Sequence, residues 1–312
     1  MNWLEHTVTV TVSLERIRVD DLTYEIPFFG ESRPLEESIR CAGILNAPVV
    51  QEQYDRGMIP VLGRRRLKVA QDLGWAEIQV RSLPSSMPEQ DGYELAFWDN
   101  CLRISDTATT AVVVNRLLEL FSKEAVCSRF LHVLSVPPRG PRIERLCRVG
   151  RLERSILSAV ATGRLLEKTA VILSHVNSAD REILMSLVQD LRLNANTSDE
   201  VVAGLFDWAV VQQRSIGEIL ALNGFRKILE DADHPVPEKA ARFRALLRSS
   251  RFPELDRREQ EVRDWVRECD LPRNVRIRHD HGFETGEYTI EVRASDRVRA
   301  LKIIEALKNA DT

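Results

Sequence analysis

Between residues 6 and 83 the apolar residues change period again and again, and that alternation limits the folds open to the chain. Val8, Val10 and Val12 alternate with threonines, the period-two pattern of a half-buried strand. Leu35, Ile39 and Ala42 fall at helical spacing, with Pro34 to open the helix and Gly43 to close it. Ala47 to Gln51 and Ile59 to Leu62 read as short strands. Arg64 to Leu73 reads as a helix stopped by Gly74, and Ile78 with Val80 as a further strand. A loop at Pro84 to Pro88 leads to a helix ending near Asp99. Strands interleaved with helices predict an α/β piece over residues 6–105.

The pattern then changes. From Ser105 to about Glu230 apolar residues recur at three and four, as in Val113, Leu117, Leu120 and Phe121, and strand signals are absent. This predicts an all-α middle domain over 106–232, broken once by Pro137-Pro138-Arg139-Gly140-Pro141. Asp231 to Pro237 reads as a linker. Two charged helices follow, about 238–249 and 254–269. Val275 and Ile277, a turn at Gly282 to Gly286, and Tyr288, Ile290 and Val292 then predict a hairpin, and Val298, Leu301, Ile304 and Leu307 a last helix. The expected class is α+β, closed by a small C-terminal helical plus ββα domain over 238–312. That ββα piece is too small for a sizeable core of its own, so it packs on the preceding helices or on a second chain.

The 312 residues leave room for two or three domains. A net charge of −3 excludes a polycation, so any nucleic-acid surface has to be a local patch. The cysteines at 41, 101, 127, 147 and 269 lack metal-ligand spacing and are odd in number, which points to reduced thiols in a cytosolic protein. No signal peptide is legible at the N-terminus, and no apolar stretch approaches the roughly 20 residues that cross a bilayer.

Chemistry concentrates at Gly63-Arg64-Arg65-Arg66, a glycine between strand and helix followed at once by three arginines. A helix start offers amides without intrahelical acceptors and the positive end of the dipole. Glycine lets a backbone come close, and arginines add bidentate phosphate contacts. Three cations at that end oppose the dipole, which points to an anionic partner; the plainer alternative is a basic helix start on a solvated face.

Three segments, 35–50, 63–74 and 99–103, carry the patterns Leu35-Glu36-Glu37-Ser38-Ile39 with Gly43-Ile44-Leu45 and Pro48, then Gly63-Arg64-Arg65-Arg66 with Ala70 and Gly74, then Asp99-Asn100-Cys101-Leu102-Arg103. In this order they resemble the ParB N-terminal domain, which shares its fold with sulfiredoxin. The family patterns are L-x-E-S-I with G-L-L-x-P, G-E-R-R-x-x-A with a later G, and E-N-x-x-R. The resemblance covers about residues 6–105 well and the middle domain loosely. It implies a nucleotide, CTP with Mg²⁺, at Gly63, Arg64, Arg65, Arg66, Asn100 and Arg103, with Asp99 and Asn100 as metal ligands; both side chains offer oxygens that suit Mg²⁺.

Two departures matter. The family's G-E-R-R glutamate, linked there to CTP hydrolysis, is Arg64 here, which puts turnover in doubt and leaves binding open. The family's asparagine-proline-x-glutamine-proline-arginine stretch is missing, the nearest arginine being Arg33. Leu62-Gly63-Arg64 holds no cysteine, so sulfiredoxin chemistry is not expected.

Gly163 to Leu173 resembles the family's segment after its helix-turn-helix, which places that motif near 124–160, although no small-residue first helix or tight glycine turn is legible there. Instead Arg139, Arg142, Arg145, Arg148, Arg151 and Arg154 recur every third residue. On an α-helix that spacing wraps around the surface. It reads as a DNA-phosphate patch or as a solvated arginine-rich face. His279 and His281 have metal-compatible spacing but continue an apolar face, so they read as edge-of-core residues. Trp75, Trp98, Trp208 and Trp265 read as core.

The resemblance implies a DNA-associated protein with a nucleotide switch, in partition or regulation, that is cytoplasmic and nucleoid-associated. Its partners would be DNA, a second copy in a homodimer and a partner ATPase, with no membrane. Two alternatives stay open. One is an enzyme on the same core, a nucleotide-dependent serine kinase or a nuclease. The other is a nucleotide-free scaffold.

Overall fold

The computed structural model describes residues 3–29, 33–54, 57–222, 224–268, 275–279, 287–298 and 300–301. The chain forms two compact units, Met1–Arg181 with Asn194–Asp199, and Glu182–Leu193 with Glu200–Thr312.

The first unit is built on a four-stranded sheet of Val8–Ser13 (β1), Val49–Gln53 (β2), Gly57–Leu62 (β3) and Glu77–Leu83 (β4), in the order β1-β4-β2-β3. β1 runs antiparallel to β4 with Val10 opposite Val80, β4 runs parallel to β2, and β2 and β3 form a hairpin with Gln51 opposite Ile59. Each strand anticipated from the alternating pattern is present. β2 begins at Val49, later than anticipated: Pro48 has no N–H for the ladder, though its carbonyl accepts from Arg81 N at 2.9 Å. Helices α1 (Arg33–Ala42), α2 (Arg64–Asp72) and α3 (Glu89–Asn100) complete the α/β part. Leu67 and Ala70 of α2 are fully buried in a cluster with Val12, Val50, Met58, Ile78 and Val80. That apolar stripe fixes which side of α2 faces the sheet, and so leaves its arginine-rich start at the rim. α3 packs on β3 and buries Tyr93, Ala96 and Phe97.

Five helices follow in the same compact unit: α4 (Thr107–Leu120), α5 (Lys123–Arg129), α6 (Arg142–Val149), α7 (Arg154–Ala161) and α8 (Glu167–Leu173). Asp106 caps α4, its carboxylate accepting from Thr109 N at 2.8 Å, and the Thr109 hydroxyl donates to Pro27 O at 3.0 Å. Phe130, just beyond α5, meets Phe97 at 5.1 Å and Phe121 at 5.0 Å between ring centroids.

α6 and α7 are two short helices joined by Gly150-Arg151-Leu152-Glu153, the connection length of a helix-turn-helix, and both pack on α4. Gly150 opens that connection with a helical φ of −64°. A Cβ there would lie 2.5 Å from the Ala111 carbonyl oxygen. Backbone, unlike the end of a flexible side chain, cannot step aside. Gly150→Ala is expected to lower stability by about 1–3 kcal/mol, read from denaturant melts.

Helices α9 (Ser178–Asp190) and α10 (Ala195–Gln212) come next in the chain. The second unit then contains α11 (Ile216–Ala221), α12 (Phe225–Glu230), α13 (Val236–Arg251), α14 (Pro253–Glu268), and the antiparallel pair β5 (Val275–His279) and β6 (Tyr288–Val292). Ser215 and Glu218 form a capping box at α11. The core of this unit centres on Phe225, whose ring is 6.0 Å from Trp208 and 4.8 Å from Phe243. The anticipated hairpin is thus present. Its turn, His281 and most of the anticipated last helix lie outside the described residues. The tryptophans do not share one fate. Trp208 is buried and Trp75 packs against the sheet core, whereas Trp98 and Trp265 are exposed because each lies on the outer side of its helix. No helix among the described residues is long and apolar enough to cross a membrane.

Candidate nucleotide site and helix-turn-helix

β3 delivers the chain to Gly63, which adopts the left-handed region at φ 82° and stands at the cap of α2. Its carbonyl accepts from Arg66 N at 2.9 Å, and no acidic residue lies in the first turn. The dipole end of α2 thus has no carboxylate of its own.

Arg65 is exposed, and its two neighbours in the run go to different places. Arg66 folds back over the glycine, so that a Cβ on Gly63 would lie 2.6 Å from its Nη2, and its Nη1 donates to the Asn46 carbonyl oxygen. Burial pushes the Arg66 guanidinium below its ordinary value, Asp99 opposes that shift, and Arg103 adds to it. Asp99 and Arg103, one helical turn apart in the 99–103 segment, thus act electrostatically on Arg66 of α2. Arg103 donates to the Asp99 carbonyl at 3.0 Å, lies 3.4 Å from its carboxylate, and stands over the Phe28 ring at 5.9 Å. The Asn100 amide nitrogen is engaged by Ala96 O at 2.8 Å, which leaves Oδ1 as its outward acceptor. Leu45 and Leu102 stand exposed on the flanking segments.

Arg64 differs from its expected role. Its Nε donates to Val19 O at 2.8 Å and its Nη1 to Glu25 Oε1 at 2.7 Å. Its guanidinium is held by an internal carboxylate. The reason lies in the 19–25 segment, which runs alongside the start of α2 and presents an acid to the cation there. Among the described residues no three histidine, cysteine or acidic side chains gather as a metal cluster. The donor set at 99–100, one carboxylate and one amide oxygen, suits a Mg²⁺ that keeps waters and phosphate oxygens as its other ligands.

The arginine series splits as well. α6 buries Ile143, Leu146 and Val149, which turns Arg145 and Arg148 outward. Arg142 pairs with Glu167, Arg148 lies 3.0 Å from His175 Nε2, and Arg154 donates to Glu25 from Nη1 and Nη2 at 3.2 and 3.3 Å. The side chains of Arg139, Arg145 and Arg151 are exposed and have no ion-pair partner among the described residues. The six thus do not form one uniform patch: Arg142 and Arg154 are turned to carboxylates.

Sequence reasoning missed Glu25, Tyr93 and Arg116. They line a cavity of about 280 Å³ with Pro27, Phe29 and Leu157. The Tyr93 hydroxyl is buried there without a hydrogen-bond partner, and burial pushes its pKa up, so it stays neutral. Nothing in the residue spacing marked these positions, because Glu25 acts through contacts 39 and 129 residues away.

No family model matches the sequence, and no curated protein does. Solved structures similar to this chain include ParB N-domains and a C-terminally truncated ParB. One is a Pnob8-like ParB-N domain, with 14% identity and TM-score 0.37, covering 81% of this chain and 97% of that one. The C-terminally truncated chromosome-partitioning protein ParB from Caulobacter crescentus is similar in two complexes. With CTP-gamma-S it has 18% identity and TM-score 0.27, covering 56% of this chain and 98% of that one. With the centromeric parS site it has 16% identity and TM-score 0.32, covering 62% and 98%. These values leave function to be argued from the chain's own geometry.

Proposed function

We propose that the chain is a ParB-like, DNA-associated protein that binds a nucleotide at the start of α2, with CTP and Mg²⁺ as the pair to test first. The observation that carries this reading is the left-handed Gly63 at the start of α2, with the Arg66 guanidinium folded over it and no acid in the first turn, on a surface where Asp99 and Arg103 act electrostatically on that guanidinium. The amides of that turn and the guanidiniums of Arg65, Arg66 and Arg103 would hold phosphate oxygens. Asp99 and Asn100 would hold the cation, which supplies neutralising charge to the phosphates. Arg64, where the family pattern has an acid, gives this site no carboxylate base, so binding is the activity assigned and turnover is not. The α6–α7 pair and the exposed Arg139, Arg145 and Arg151 would take up DNA phosphates.

Calorimetry of the whole chain with CTP, ATP and GTP, each with Mg²⁺, tests the first part. CTP-selective binding supports the switch, and ATP binding with a phosphoserine product would point to a kinase. No binding leaves the scaffold, the second reading, which the engagement of Arg64 by Glu25 favours. For the DNA surface, Arg145→Glu with Arg148→Glu is expected to weaken retention of duplex DNA. The salt slope should fall by about one for each phosphate that the variant no longer neutralises. Retention unchanged at low salt would remove the patch.

A homodimer through the C-terminal domain belongs to the same reading. A two-stranded sheet is marginal alone, and Tyr288 and Ile290 of β6 are 49% and 53% exposed. A partition role would add a partner ATPase, and the setting would be the nucleoid.

A further inference from the structure

α3 and α4 bring two polar side chains to one place in the first unit, and the segment before α1 closes over them. Val112 and Arg116 lie one turn apart on α4, so they share a face. Gly150 is seated against the Ala111 carbonyl, which lays the α6–α7 connection beside that face. α3 supplies Tyr93, and the preceding Gly92 fits so closely under the Tyr24 ring that a Cβ on it would lie 2.6 Å away. Residues 22–29 form the remaining wall, held to α4 by the Thr109 hydroxyl on Pro27 O at 3.0 Å. The enclosed cavity of about 280 Å³ is just below the roughly 300 Å³ at which ligand pockets begin. None of the residues assigned to the nucleotide lines it.

The lining is chemically divided. Phe29, Val112, Leu152 and Leu157 give it apolar walls. Its charges are two cations, Arg116 and Arg154, against one carboxylate, Glu25. Glu25 is already engaged, because its oxygens accept from Arg64 and from Arg154. Arg116 stands over the Tyr93 ring at 6.0 Å, and its carboxylate partners, Glu89 and Glu119, do not line the cavity. Tyr93 is 1% exposed, and its hydroxyl has no hydrogen-bond partner among the described residues. Burial keeps the phenol neutral, so it has a proton to donate. A buried donor without an acceptor is costly, and a site that keeps one is matched to a guest that brings the acceptor.

We propose that this cavity binds a small organic monocarboxylate with an apolar body. Its carboxylate accepts from the Tyr93 hydroxyl and from Arg116, and the exposed Arg154 adds positive charge. Its body lies against Phe29, Val112, Leu152 and Leu157. The volume admits a single ring or a short chain and is too small for a nucleotide. A second carboxylate would meet Glu25 or an apolar wall, which selects for one charge. The site stands apart from the nucleotide reading and does not depend on it.

Benzoate is the probe and benzamide its uncharged counterpart, each titrated into the full chain by saturation-transfer NMR beside thermal melts. Benzoate is expected to bind at about 1 mM or tighter and to raise the melting midpoint, and benzamide to bind at least about tenfold more weakly. Tyr93→Phe removes the hydroxyl alone. It is expected to melt no lower than the unaltered chain, because no hydrogen bond is lost, and to bind benzoate about tenfold more weakly. Arg116→Gln should abolish the preference for benzoate over benzamide. Mg²⁺-CTP should not displace benzoate, which separates this cavity from the start of α2. The proposal is overturned if benzoate fails to bind at about 10 mM, if benzamide binds as well as benzoate, or if Mg²⁺-CTP displaces it. It is overturned equally if Tyr93→Phe binds benzoate unchanged or melts lower, or if Arg116→Gln keeps the preference. CTP binding without benzoate binding defeats the cavity alone, and benzoate binding without CTP binding upholds the cavity while the nucleotide reading falls.

Discussion

Phe130→Ala is expected to lower the unfolding free energy by about 3–5 kcal/mol, a large share of the roughly 5–15 kcal/mol that a domain has in total. Phe130 is fully buried. Its ring stands 5.1 Å from Phe97 on α3 and 5.0 Å from Phe121 at the end of α4, in edge-on and tilted arrangements, and Arg129 lies over it at 5.1 Å. Truncation would remove the ring that these neighbours share and leave a cavity between helices that cannot all close on it. Chemical denaturation should show the loss as a lower midpoint with an unchanged slope. A cost below about 1 kcal/mol would mean that the α/β part and the helices following it are not held by this ring.

Arg66→Ala should have the largest effect on ligand binding. It is expected to raise the dissociation constant for a nucleotide about 10- to 100-fold, the worth of one charge-assisted hydrogen bond of about 1.5–3 kcal/mol. Arg64→Ala should cost less, because that guanidinium is already engaged by Val19 and Glu25. The rank order is the informative part. Equal losses would mean that Arg64 leaves Glu25 whenever a ligand arrives, and a greater loss at Arg64 would reverse the assignment of the two side chains. Calorimetry on both variants beside the unaltered chain settles the order.

The elements near the site were legible because each has a local cause. Alternating valines give β1, Pro34 and Gly43 bound α1, and a left-handed glycine between strand and cation run sets the start of α2. The expectation that Arg66 and Asp99 face one another came from the order of three short patterns. The destinations of the arginines did not. Arg64, Arg142 and Arg154 look alike in sequence, but each finds a carboxylate set by tertiary packing, at Glu25, Glu167 and Glu25 again. Gly150 was hidden for a related reason. It serves close approach to the Ala111 carbonyl instead of a positive φ, so no neighbouring turn residues advertise it.

The Thr109 hydroxyl bonded to Pro27, together with the seat of Gly150 against α4, bears on how a signal could travel inside this unit. α4 is pinned at its first turn to the chain stretch that carries Glu25, and α6 and α7 rest directly on α4. A shift of the backbone at 25–27 would therefore be felt by α4 and, through it, by the two short helices that lean on it.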